Sequence, residues 1–334
     1  MYDEKAQRFL AVLFQSIRVV RVVLMDQQPV RKDFFIYVGS FLLLLFITIL
    51  IPFIQMITLI LLPIPVILLM KDYPIKWTIL GMLILLTFSL FVVPVFSFPL
   101  TLLAMISGAM IGWSIKQDQH PYETWAKGTA GFVLGLTLIY AYIEVVLQFS
   151  IMNAFENTVD DSIQMTEDLF QAIGMGQQEF GVIRQEMMNM LQLLPVILVV
   201  VSMGFAILTQ WICYKVINKV QQEHYQFPPF RSFNLQKVML WIYFAMLLIS
   251  FFVEADFSTM PSVIIWNVYH LAGILMALQG LSFLFFYTHA KKQSVALPVI
   301  SILFIIFFPF MGLYLMRILG IIDLGFELRK RMAK

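Results

Sequence analysis

Cysteine is almost absent from the chain. Cys213 is the single one in 334 residues, which excludes an intramolecular disulfide framework and any CxxC redox or zinc pair. Charge is scarce as well: Asp, Glu, Lys and Arg make up 13% of the sequence, against roughly 25% in a soluble domain. Enzyme signatures are missing. The sequence holds no HExxH, no GxSxG and no Walker A loop, and no aspartate falls within the apolar stretches as read here, so an intramembrane aspartyl protease is not expected. Asn267 and His270 are a weak match to the Asn and His of membrane acyltransferases. The basic residues are dispersed through short loops, so nucleic-acid binding has no support, and no cofactor or metal is expected.

Long apolar runs fill the chain instead. Hydrophobic residues are 60% of it, with 32 Phe and 21 Met, and the mean hydropathy is +0.87. The main solvent for such a chain is lipid. The composition predicts an all-α polytopic membrane bundle of about eight or nine transmembrane helices with an external amphipathic segment.

Three regions follow from the order of the residues. Residues 1–33 carry Arg18 and Arg21 inside an apolar stretch with no small-residue cleavage site after it. They read as an amphipathic amino-terminal extension, lying on the membrane surface or packed on the protein's own loops. Residues 34–322 form the transmembrane domain, and residues 323–334 a basic tail. The run 34–70 is too long for one crossing, and Pro52 places a tight turn near residues 52–55. Further spans fall at about 77–95, 98–115, 128–151, 191–213, 238–254, 263–287 and 295–318.

Basic residues mark the cytoplasmic side. Loops at 71–76, 116–127, 214–237 and 288–294 carry them, which puts the acidic segment 152–190 outside. The tail conflicts with this scheme: Arg317, Arg329, Lys330, Arg331 and Lys334 lie outside after nine single crossings. Either the tail is an exception, or residues 295–319 bend at Pro309 into a broken pair of short helices.

The external segment 152–190 is patterned. Met152, Phe155, Val159, Ile163, Phe170 and Ile173 recur at helical steps, as do Phe180, Ile183, Met187 and Leu191. Two amphipathic helices broken at Gly174–Gly176 are expected, either as a lid over the bundle or as a hairpin lying among headgroups.

Glu144 is a carboxylate within the fifth apolar stretch, and Tyr140, Glu144 and Gln148 are spaced to share one helix face. Trp266, Asn267 and His270 form a second polar patch, at the same depth in the eighth span. Together these six residues are the candidate ligand site. The competing expectation is a structural Glu144–His270 pair. The motifs Gly108–Gly112 and Gly131–Gly135 are read as helix-packing surfaces.

Three stretches carry a family likeness: residues 61–66 (Leu-Leu-Pro-Ile-Pro-Val), residues 279–283 (Gln-Gly-Leu-Ser-Phe), and the basic motif running from Arg317 to Arg331. Over residues 34–331 the chain resembles the YybS-like family of uncharacterised membrane proteins of Firmicutes. That family is distantly similar to the S components of energy-coupling-factor transporters, small bundles that bind a vitamin near the outer face. This resemblance implies binding or uptake of a small solute in the cytoplasmic membrane of a Gram-positive bacterium, with an energising membrane subunit and ATPases as partners. The AxxxA-type partner surface of many S components is absent from the bulky first span. The alternative is a non-transporting scaffold or regulator of an envelope complex.

Overall fold

A computed structural model describes residues 32–172, 181–253 and 259–332, and the regular elements among them are helical. In chain order these are α1 (Lys32–Leu50), α2 (Gln55–Leu61), α3 (Pro63–Asp72), α4 (Ile75–Ser89), α5 (Pro94–Lys116), α6 (Pro121–Val145), α7 (Ile151–Ala172), α8 (Gly181–Leu191), α9 (Leu194–Gln221), α10 (Lys237–Ser250), α11 (Met260–Ala290), α12 (Ala296–Phe307), α13 (Pro309–Phe326) and the short α14 (Leu328–Met332). Prolines set much of the punctuation. Pro63, Pro94, Pro261 and Pro309 each stand in the first turn of a helix, where a missing N–H leaves no bond unmade.

Among the described residues, seven helices suffice by length and composition to cross a membrane: α1, α2 with α3, α5, α6, α9, α11 and α13; α4, α10 and α12 are apolar but shorter. The protein is an all-α, multi-pass membrane protein. The expected turn at residues 52–55 is a single 3-10 turn, Pro52–Ile54. Residues 1–31, which hold nearly all of the amino-terminal extension, lie outside the described residues, and so do Gly174–Gly176 and Lys334.

Two compact units divide the described chain, one built from residues 32–139 and 205–223 and the other from residues 140–204 and 224–332. The first unit packs on small residues. A Cβ on Gly108 would lie 2.8 Å from Val66 Cβ, and one on Gly112 would lie 2.8 Å from the Ile67 carbonyl, so α5 seats directly on α3. Gly131 faces Ser107 and Gly135 faces Leu103, which brings α6 equally close to α5. Buried polar groups pair with backbone: Gln210 donates to the Pro121 carbonyl and to Tyr214, and Thr209 donates to the Ile60 carbonyl. Tyr37 and Gln221 both donate to Asp72, while Lys71 bridges Gln221 and Glu223.

In the second unit, α10, α11 and α13 pack around Leu240, Tyr243, Ala272, Met276 and Leu324. The α11–α13 crossing is the tightest in this unit. A Cβ on Gly280 would overlap the Met316 carbonyl, and one on Gly320 would overlap the Met276 carbonyl. The register rises together along both helices: Gly273 meets Arg317, Met276 meets Gly320 and Gln279 meets Asp323. They are therefore parallel, and α12 must run back between them.

The reversal occurs at Phe308 (φ −131°, ψ 68°), with Gly312 folded against Ile305. Residues 295–319 are thus the broken pair allowed by the sequence, turned at the residue before Pro309, which disfavours helical geometry. The two arms bring the tail back to the level of residues 230–235, the end of the unit where Arg231, Lys237, Arg329 and Lys330 gather. This removes the charge conflict of the tail.

Candidate functional site

Tyr140 and Glu144 share the last turns of α6. The helix ends at Val145, however, and Gln148 sits beyond it in left-handed geometry (φ 53°). Gln148 therefore does not continue the Tyr140–Glu144 face. It occupies the terminating position of the helix, where its side chain returns to the Val145 carbonyl at 2.6 Å. Glu144 accepts from the backbone N–H of Ile151 at 3.0 Å, so its carboxylate satisfies a free donor at the start of α7.

Helices α7 and α8 form within the patterned acidic segment, and an ion cluster clasps them. Arg184 on α8 donates to Asp160 at 2.6 and 3.0 Å and to Glu156 at 2.8 Å. These bonds hold the Asp160 carboxyl below its ordinary range and push the Arg184 guanidinium up.

Asn267, buried in α11, works as a staple. It donates to the Gln192 and Val263 carbonyls at 2.8 Å and accepts from Val196 N–H at 3.2 Å, pinning the entry of α9. Among the described residues Glu144 and His270 make no ion pair. The structure instead assembles Trp266 and His270 with residues that the sequence left apart. The Tyr269 ring stands 5.7 Å from Trp266 and 5.3 Å from His270, and it stacks on Tyr243 of α10 at 5.5 Å.

Arg317 closes this group. Its guanidinium lies on the Gly273 backbone, a close approach only glycine permits. It sits 5.5 Å from the Tyr269 ring and 5.9 Å from the Tyr243 ring, and donates to the Tyr269 hydroxyl at 3.3 Å. Nε is enclosed and makes no hydrogen bond. No carboxylate pairs with Arg317 among the described residues.

Gly273 is near the middle of the 31-residue α11, so this cation lies at mid-span depth. A charge there costs roughly 2.5–3.5 kcal/mol on insertion scales, and arginine cannot shed its proton to escape. Two cation–π contacts return about 0.5–2 kcal/mol each, depending on desolvation. The aromatic rings hold the guanidinium in place but leave its charge uncompensated. A guanidinium, an imidazole and three aromatic rings thus stand within one cluster.

At the basic end of the unit lies a different polar group, fully satisfied. Gln279 donates to Asn234 at 2.8 Å and to Asp323 at 2.6 Å, and accepts from Leu235 N–H at 2.9 Å. Arg329 pairs with Asp323 at 2.9 Å and donates to the Arg231 and Phe233 carbonyls and to Ser282. Asp323 is 2% exposed. The helix α13 continues to Phe326, so this aspartate lies inside an apolar helix, contrary to the expectation that no span holds one. Its partners make it a tail anchor. Among the described residues no three His, Cys, Asp or Glu side chains converge on a metal position.

Two further residues, Arg317 and Asp323, belong to the bundle and not to the tail. Their only sequence signal is their place in the motif that carries the family likeness, Arg317 to Arg331.

Comparison with known proteins agrees with this architecture. Residues 40–324 match the family described as predicted membrane protein (DUF2232). The uncharacterised protein YybS of Bacillus subtilis (strain 168) is 27% identical over 210 residues, 61% of this chain and 67% of the relative. No solved structure matches the chain. With most of its length inside that match, the chain belongs to the DUF2232 family of membrane proteins.

Proposed function

We propose that this protein binds a small polar or amphipathic solute within its membrane domain and serves its uptake, as S components do. The observation that supports this is the uncompensated Arg317 guanidinium among Tyr243, Trp266, Tyr269 and His270 at mid-span depth. An ionisable residue retained in hydrocarbon without a structural partner is a functional group by default. The activity is binding and not catalysis, in the cytoplasmic membrane of a Gram-positive bacterium. An energising membrane subunit with ATPases would supply the work, and the basic 214–237 loop offers it a docking surface.

The test is a thermal-shift screen of the full chain in lipid nanodiscs against vitamins and small metabolites. At least one solute raises the melting temperature, and Trp266→Ala weakens that response. A panel that leaves the melting curve unmoved would overturn the proposal.

A scaffold or regulator of an envelope complex is the second reading. It is favoured by an open cleft of about 350 Å³ between Lys237, Glu327, Lys330 and Arg331. Crosslinking in native membranes separates the two: capture of ATPase-bearing partners supports uptake, and capture of envelope enzymes supports the scaffold.

A further inference from the structure

We infer that the solute is a carboxylate, and that its negative charge is the missing counter-ion of Arg317. This rests on the solute-binding reading above and narrows it to a chemical class. The guanidinium already has what neutral neighbours can give: one hydroxyl acceptor, Tyr269, and the faces of two tyrosine rings. None of these carries a formal charge. The side chain as a whole is only half-buried.

Geometry selects the class. A planar guanidinium presents parallel N–H donors that match the two oxygens of a carboxylate, and this one has a neutral hydroxyl, Tyr269, as acceptor and no carboxylate among the described residues. Tyr243, Tyr269 and Arg317 come from α10, α11 and α13, so a ligand bound there ties three helices together. The neighbouring groups select the same sign. His270 is an uncharged or cationic side chain, never an anionic one, and the nearest carboxylate along α13 is Asp323, which is engaged by Arg329 and Gln279. Trp266 and the tyrosines add flat apolar walls, which suit a carboxylate carrying an aromatic or otherwise unsaturated body.

Benzoate is the probe, with benzamide as its neutral isostere and inorganic phosphate as a non-planar anion, each titrated against the full chain in nanodiscs. Benzoate raises the melting temperature of the wild type, and benzamide does not. Arg317→Gln weakens the apparent affinity for benzoate by about thirtyfold or more, the loss expected when one partner of a desolvated charge pair is removed. Arg317→Lys keeps the charge and part of the response, and it serves if the glutamine variant does not fold.

Equal stabilisation by benzamide would overturn the charge assignment while leaving solute binding intact. A response to phosphate without one to benzoate would overturn the carboxylate assignment. Benzoate binding that survives unchanged in Arg317→Gln, or no benzoate response from the folded wild type, would overturn the inference itself.

Discussion

Arg317 donates to the hydroxyl of Tyr269 at 3.3 Å, while Nε on the other side of the same guanidinium has no partner. The pair joins α13 to α11 at the level of Gly273, where the absence of a side chain lets the guanidinium lie flat on the helix backbone. The half-filled fork is what distinguishes this position from the tail anchor one helical turn and a half further on, where Asp323 and Arg329 satisfy each other and their surroundings.

The α11–α13 crossing depends on two glycines. Gly280→Ala places a methyl group against the Met316 carbonyl, which belongs to the backbone and cannot rotate aside. Overpacking of this kind costs about 1–3 kcal/mol, occasionally more. The melting temperature in detergent falls by several degrees. Gly39→Ala, with nothing within 4 Å of its new methyl group, leaves it unchanged and controls for handling.

Asp323 and Arg329 form the ion pair that locks the tail to the 230–235 turn. Their side chains are 2% and 15% exposed, so removing one partner leaves the other charge stranded in a dry site. Asp323→Ala destabilises by about 3–5 kcal/mol. Limited proteolysis after Lys330 or Arg331 becomes faster in that variant. In Lys330→Ala, whose side chain is 76% exposed, unfolding is unaffected.

Sidedness is testable with a single thiol. Cys213 is buried, so it is silent to a membrane-impermeant reagent. Lys330→Cys and Ser232→Cys react from the same side of the membrane, because Arg329 binds the carbonyls of Arg231 and Phe233. Labelling from opposite sides would break the parallel α11–α13 arrangement.

The α7–α8 clasp responds to acid. Arg184 holds the Asp160 carboxyl below its ordinary range through direct hydrogen bonds. A depressed carboxylate contributes stability above its unfolded value and loses it as pH falls through the lowered folded one. Spin labels on α7 and α8 therefore report a constant distance at neutral and mildly acidic pH. Separation widens only in strong acid, below the usual aspartate range. Arg184→Ala opens the pair at neutral pH.

Much of the architecture was legible in the sequence. Hydropathy located the apolar helices, though those over 75–89, 237–250 and 296–307 are shorter than a full crossing; the acidic segment holds two helices, and Pro309 marked the break that returns the tail. The site was harder to read. Gln148 looked like part of a polar helix face because a glutamine in left-handed geometry gives no signal of the kind that glycine gives; the helix had already ended at Val145. Asn267 and Glu144 read as ligand-site residues, with His270 as the rival partner of Glu144, because their actual partners are backbone groups of Gln192, Val196 and Ile151, which composition does not reveal. Arg317 was grouped with the tail by its neighbours in sequence. Only the parallel return of α13 along α11 carries it to Tyr269, and that return depends on close contact between Gly280 and Gly320, forty residues apart in sequence.

The most direct test of an uncompensated cation in the bundle is the melting temperature of ligand-free protein with Arg317→Met, which keeps an unbranched apolar side chain and removes the charge. Replacing a buried charge by an apolar group of similar shape is often stabilising by about 1–4 kcal/mol. The account predicts that the variant melts a few degrees above the wild type and no longer responds to benzoate. A variant that melts several degrees below the wild type would show that Arg317 is a satisfied structural group, and would contradict the central claim.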